Sequence, residues 1–137
     1  MSTELKARVQ QFIDEVWNRG NVAALDAICT PTMVRQQPPY PPIEGLEAYR
    51  KHVVDTRAIF PDLHMTVEEM IVEGESIALR GFWTGTQTGP LRWTALPPTN
   101  KKVKVAFCEL LHMSGGKASD GFGYHDNLGM LRQLGIG

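Results

Sequence analysis

Asp126 opens the last segment of the chain, Asp126-Asn127-Leu128-Gly129-Met130-Leu131-Arg132-Gln133-Leu134-Gly135, where a carboxylate enters an apolar, helix-like tail behind a strand-rich half. An aspartate titrates near about 3.9 in water, and burial against apolar walls moves it up toward the pH at which one group can give and take a proton. Phe107, Phe122, Tyr124, Trp83 and Trp93 are the residues from which such walls would be built. The same aspartate also suits a helix N-cap, a role worth about 1 kcal/mol. Arg80 either anchors an anionic substrate oxygen or pairs with Glu109 or Glu73 on a neighbouring strand. His112 is either an ordinary strand residue or a partner for Asp126. His125 is expected against a partner sheet, His52 and His64 on the surface, and Glu68-Glu69 and Lys101-Lys102 on solvated faces.

Other chemistries are poorly served. Four histidines and two cysteines show neither i, i+4 pairing on one helix nor a Cys-x-x-Cys spacing, so no metal is expected. Lys and Arg total 14 against 15 Asp and Glu, a net charge of −1 that leaves no basic excess for a phosphate backbone. Nucleic acid is therefore not an expected partner. No apolar run approaches the roughly 18 residues of a membrane span, and the start Met-Ser-Thr-Glu-Leu-Lys has no signal-type apolar stretch. The expected setting is the cytoplasm. With 137 residues the chain is expected to be one domain, 1–137, with a single core and room for one enclosed pocket.

The elements that must position these residues fall into two halves. Leu5, Val9, Phe12, Val16 and Trp17 recur at helical spacing, with Ser2 or Thr3 to cap the start and Gly20 to end the helix. Trp17 belongs to the helix core, the pocket wall, or both. A short second helix over 22–28 is expected to stop at Thr30-Pro31, and Gln36-Gln-Pro-Pro-Tyr-Pro-Pro42 reads as a stiff loop over one mouth of the domain. A third helix over 45–60 turns Leu46, Tyr49, Val53 and Phe60 to the core. Then the period changes to two: 65–72, 77–83 and 103–113 read as strands, with Gly115-Gly116 as a hairpin turn. Three helices followed by four to six antiparallel strands make an α+β domain. Exposed strand positions Ala106, Cys108 and Leu110 point to a homodimer, because a monomer would leave that surface in water.

Strand alternation sorts the site candidates. With Gly115-Gly116 as the turn, Glu109 faces Phe122, and Val105, Phe107, Phe122, Tyr124 and Asp126 share one face. On regular strands His112 and His125 lie on the other face, whereas a bulge or one-residue slip would bring His112 round to Asp126. Pattern alone leaves this open. His125 and Asp126, being adjacent, do not both enter one pocket.

Several features occur together in a distinctive order: Trp17-Asn18-Arg19-Gly20-Asn21, Gly45, Phe60-Pro61-Asp62, Arg80 with Gly85-Thr86 and Gly89, Gly116-Lys117, and Asp126 ahead of Gly129-Met-Leu-Arg-Gln-Leu-Gly135. The ordered set resembles the SnoaL-like polyketide cyclases over nearly the whole chain. That resemblance implies an NTF2-like cone, three N-terminal helices packed on a curved antiparallel sheet. It also implies cofactor-independent intramolecular aldol closure of a polyketide ester or related enolisable substrate, an apolar small molecule, polycyclic or not. Asp126 matches the family's acid/base and His112 its pocket companion. Arg80, Glu109, Phe107, Phe122, Tyr124, Trp17 and Gln36 are the expected substrate contacts. The chain departs from the family pattern after Gly116-Lys117. An aliphatic, a glutamate and a tryptophan are usual there, but Ala118-Ser-Asp120-Gly-Phe122-Gly-Tyr124-His125 adds two glycines. Gln36 and Gln37 also occupy a loop where relatives often carry a histidine.

Three rival functions remain. A dehydratase or steroid-isomerase relative would use the same aspartate, although helix one lacks the tyrosine a steroid isomerase needs. A limonene-type epoxide hydrolase needs Arg-x-Asp, and the matching run is Arg80-Gly81-Phe82. A non-catalytic carrier would exploit the proline loop and six methionines as an adaptable apolar pocket.

Overall fold

The computed structural model describes residues 2–92, 94 and 96–136. Trp93, proposed above as a pocket wall, lies outside them. Helix α1 (Ser2–Phe12) continues into a π-helical turn over Ile13–Asn18, which carries the buried Ile13, Val16 and Trp17. Gly20 follows at φ +73, a conformation that disfavours any side chain, and a Cβ there would also run into the Arg57 guanidinium. The Asn18 side chain bonds both the backbone N–H and the carbonyl of Met65, and so pins the end of this helix to the sheet.

The expected second helix is a 3₁₀ turn over Val22–Ala24 plus the single turn α2 (Leu25–Ile28). It runs directly into a strand that the prolines had concealed, β1 (Cys29–Gln36). Pro31 is tolerated because pairing is interrupted between Cys29 and Val34. A short β2 (Ile43–Glu44) precedes α3 (Leu46–Ile59), which buries Leu46, Tyr49, Val53 and Ile59. Then follow β3 (His64–Glu73), β4 (Ser76–Thr86), β5 (Lys102–Ser114), β6 (Lys117–His125) and α4 (Asn127–Gln133).

These strands form one curved six-stranded sheet in the order β2-β1-β6-β5-β4-β3. The long hairpins pair antiparallel as expected, but β1 runs parallel to β6 and brings the second helix's exit beside the last strand. Curvature has a local cause at β3, where the register shifts between Val67 and Glu69. Gly81 of β4 accommodates the shift, because a Cβ there would collide with the Thr66 carbonyl. The concave face carries Ile77, Leu79 and Trp83 of β4 and Val103, Val105, Phe107, Glu109, Leu111 and Met113 of β5. With Val9, Phe12, Ile13, Val16 and the α3 residues they close one core. The convex face exposes Ala106, Cys108 and Leu110.

Candidate functional site

One extra residue decides which side chains of the last strand enter the cone. The Gly115-Gly116 turn, both at positive φ, pairs Ser114 with Lys117 and Met113 with Ala118, the register of a two-residue hairpin. His112 then pairs with Asp120, so Ser119 is a bulge and every later residue of β6 changes face. Glu109 faces Gly123, not Phe122, and Phe107 faces His125.

Several expected assignments are corrected by this. Phe122 and Tyr124 lie on the convex face, with Tyr124 exposed. His112 is on the same face, half-exposed, bonded to Asp120 at 2.5 Å and edge-on to Phe122. It does not meet Asp126. Arg80 is exposed and held by Glu69 at 2.8 Å and Glu68 at 3.6 Å, so it anchors nothing in the cone, and Glu68-Glu69 is its partner rather than an idle solvated pair. Gln36 gives way to its neighbour Gln37 in the cavity wall. His52, expected on the surface, lines the cavity, whereas His64 is exposed as expected.

Asp126 is exposed and caps α4, its Oδ1 accepting the Gly129 N–H at 2.9 Å. A Cβ on Gly129 would overlap the Asp126 carboxylate in the position from which it caps the helix. Asp126→Ala is expected to lower stability by about 1 kcal/mol, and Asp126→Asn by only a few tenths, since both residue types cap well. Chemical denaturation of the two variants checks this.

Inside the cone stand three groups that the bulge and β1 bring together. Arg35 reaches from β1 to the Glu109 carboxylate, both almost fully buried. Gly121 and Gly123, the two glycines foreign to the family pattern, make this possible. A Cβ on Gly123 would occupy the space of the Arg35 guanidinium, and one on Gly121 would press on Leu111. Arg35 also lies over the Tyr49 ring, 5.9 Å from its centre, and its Nε donates to Gln37 Oε1 at 3.3 Å. His125 completes the cluster. Its ring stacks on Phe107, its Nδ1 accepts the Trp83 indole N–H at 3.2 Å, and its Nε2 lies 3.4 Å from Glu109 Oε2. That last contact is within ion-pair range, and Nε2 is buried with no well-formed hydrogen bond among the described residues. Because indole only donates, Nδ1 must present its lone pair, and the ring proton sits on Nε2.

Burial alone would push the Glu109 carboxyl up. The Arg35 charge, with help from His125, outweighs it and holds the group down to about 2. For Arg35 the balance is similar: burial disfavours the cation, but the Glu109 charge keeps its pKa above the ordinary arginine value. Above the cluster opens a cavity of about 410 Å³. Trp17, Phe60, Met65, Trp83 and Met130 give it apolar walls, and Tyr40 of the proline loop and Arg92 line it as well. Trp17 donates its indole N–H to the Tyr49 hydroxyl at 3.0 Å, which fixes the wall it forms. Among the described residues no group of three or more His, Cys, Asp or Glu converges as a metal-ligand set would.

His52, edge-on to Trp17, is driven down to about 4 by burial, reinforced by the positive charges of Arg35 and Arg92. The ordinary value is 6.5, so between the two the unfolded chain binds the extra proton. The stability that neutral His52 contributes is therefore full above about 6.5 and drains away as pH falls toward about 4. Urea unfolding at pH 7.5 and pH 4.5 is expected to differ by about 1–3 kcal/mol more in the wild type than in His52→Gln.

The family model of SnoaL-like polyketide cyclases matches residues 7–134. The chain belongs to that family. Solved structures similar to this SnoaL-like protein include a protein from Jannaschia sp. CCS1 at 23% identity and TM-score 0.88, covering 98% of this chain and 94% of the other. A protein from Acidithiobacillus ferrooxidans aligns at 27% identity and TM-score 0.86, covering 98% and 96%. TsrD from Streptomyces laurentii aligns at 23% identity and TM-score 0.85, covering 98% and 96%. At 23% identity the first and third bear on the fold alone. No curated protein matches the chain. No helix among the described residues is long and apolar enough to cross a membrane.

Proposed function

We propose that this SnoaL-like protein catalyses cofactor-independent intramolecular aldol closure of a polyketide ester or related enolisable substrate, with the Arg35–Glu109–His125 cluster as its machinery. The observation that carries this reading is the buried, unbonded Nε2–H of His125 beside an ionised carboxylate at the floor of an apolar cavity. A carboxylate held at about 2 is a weak base, suited only to a carbon already acidified by flanking carbonyls. Glu109 takes that proton. The resulting enolate oxygen is stabilised by His125 Nε2–H and by the Arg35 guanidinium, donors fixed before the substrate arrives. The enolate carbon then bonds to the second carbonyl carbon, and the proton returns to that carbonyl's oxygen. No net acid or base is consumed. The cone folds the chain into a reactive shape, which supplies part of the rate through proximity. In this reading Asp126 serves the fold, not the reaction.

The working unit is a homodimer formed through the convex face bearing Ala106, Cys108 and Leu110, in a cytoplasmic setting. Light scattering that shows only a monomer at micromolar concentration would remove the dimer. For the chemistry, the test is incubation with a linear aromatic polyketide methyl ester in deuterated buffer. Accelerated deuterium exchange at the activated methylene and a cyclic product of isomeric mass, or that mass less water, are expected. Binding with neither exchange nor product would overturn the enzyme reading in favour of a carrier.

A further inference from the structure

The reaction proposed above engages the sheet side of the cavity and leaves the α3 side unused. That side presents His52, Thr56 and Ile59, with His52 and Thr56 one turn apart on the same helix face. Thr56 Oγ1 donates its proton to the His52 backbone carbonyl at 2.8 Å, so toward the cavity it can only accept. The His52 ring is held by aromatic neighbours, edge-on to Trp17 with centroids 5.9 Å apart and tilted against Tyr49 at 6.0 Å. Among the described residues neither of its nitrogens is hydrogen-bonded, and neither is fully enclosed. Burial and the charges of Arg35 and Arg92 keep the ring neutral, so it carries one N–H and one lone pair. The α3 wall therefore offers two acceptors and one donor, none of them answered from within the described residues.

We propose that His52 and Thr56 form a hydroxyl-recognition subsite, which selects substrates bearing a free phenolic or enolic O–H on the edge turned toward α3. A hydroxyl both gives and takes hydrogen bonds, so it answers this wall in both senses. An ether or carbonyl oxygen in that place only accepts, which leaves both wall acceptors stripped of water and unpaired. The apolar body of the molecule lies against Trp17, Phe60 and Trp83, and the carbonyl to be activated faces the donors of Arg35 and His125. The subsite thus sets which way round an aromatic substrate enters. This rests on the cavity being the substrate site, as in the function proposed above, but not on the reaction performed there.

The test uses three neutral ketones that share one ring system: 6-acetyl-2-naphthol, its methyl ether, and 2-acetylnaphthalene, which lacks the second oxygen. Each is titrated into the intact protein and followed by tryptophan fluorescence. Wild type is expected to bind the naphthol about tenfold more tightly than either of the others, the gain of one well-formed hydrogen bond. His52→Phe keeps an aromatic ring against Trp17 and Tyr49 and should bring all three within about twofold by weakening the naphthol alone. His52→Gln retains a donor and an acceptor and should keep part of the preference, and Thr56→Val should lose part of it. Equal affinities in the wild type, a preference that survives His52→Phe, or a His52→Phe loss shared equally by the three ketones each overturns the proposal. The last of these is what a merely structural histidine would give. Binding of none of them up to the solubility of the naphthol also overturns it. Hydroxyl preference without exchange or cyclisation leaves the His52 assignment standing and removes the cyclase. Cyclisation without hydroxyl preference does the reverse.

Discussion

Arg35→Met is expected to destabilise the protein by about 3–5 kcal/mol at pH 7, far more than loss of any surface ion pair, because it leaves the Glu109 carboxylate buried and uncompensated. The pH dependence should change sign as well. In the wild type Glu109 is held at about 2, below the ordinary 4.5, so its contribution is present above about 4.5 and is lost as pH falls through about 2. Without Arg35, burial dominates and lifts the carboxyl above its unfolded value, with the His125 N–H only a partial substitute. The deficit of the variant is then smallest in acid and grows as pH rises. Arg35→Met/Glu109→Leu removes both charges and should recover most of the loss, since well-packed apolar replacements of a buried pair are often close to neutral. Urea denaturation of the single and double variants from pH 4 to 8 checks all three statements. A single variant within 1 kcal/mol of wild type would show that the pair is hydrated in solution.

That pair also shows where sequence reading runs out. Helix α1, helix α3 and the hairpins were legible because local period and turn residues specify them, as with Leu46, Tyr49 and Val53 on one helix face and Gly115-Gly116 at a two-residue turn. Strand β1 was not. Pro31 carries a loop signal that only pairing with β6 overrides, whereas the run from Gln37 to Pro42 stays a loop as expected. Arg35, 74 residues from Glu109, was hidden with that strand. A trace of it was present, for Gly121 and Gly123 inside a strand mark places where another group comes close. They register as looseness until the Arg35 guanidinium is seen in the space they leave.

The face of the last strand was the second hidden quantity. Alternation gave the right sets for β5, with Val105, Phe107 and Glu109 turned inward. For β6 it gave the wrong one beyond residue 119, because the Ser119 bulge is a property of the paired sheet and carries no distinctive residue. Only one of His125 and Asp126 could enter the cone, and the bulge admits His125.

His125→Ala should therefore cost about 10²–10³ in kcat on an enolisable substrate, the usual loss when one preorganised donor to a developing oxyanion is removed, with KM changed little. His125→Gln restores an N–H near the same place and should recover part of that loss, although it cannot accept the Trp83 indole. Trp83 walls the cavity, and its bearing on the chemistry runs through His125. Trp83→Phe keeps the ring against Phe60 but frees the imidazole to exchange tautomers, so kcat should fall by about tenfold while KM holds. The tautomer change has its own signature, since the imidazole 15N shifts exchange character between Nδ1 and Nε2 when the indole donor is lost. Asp126→Asn serves as the control, with turnover expected within twofold of wild type because the cap survives. If Asp126→Asn instead abolished turnover while His125→Ala retained it, the proton carrier would lie at the helix cap, and the buried cluster would be a device of stability alone.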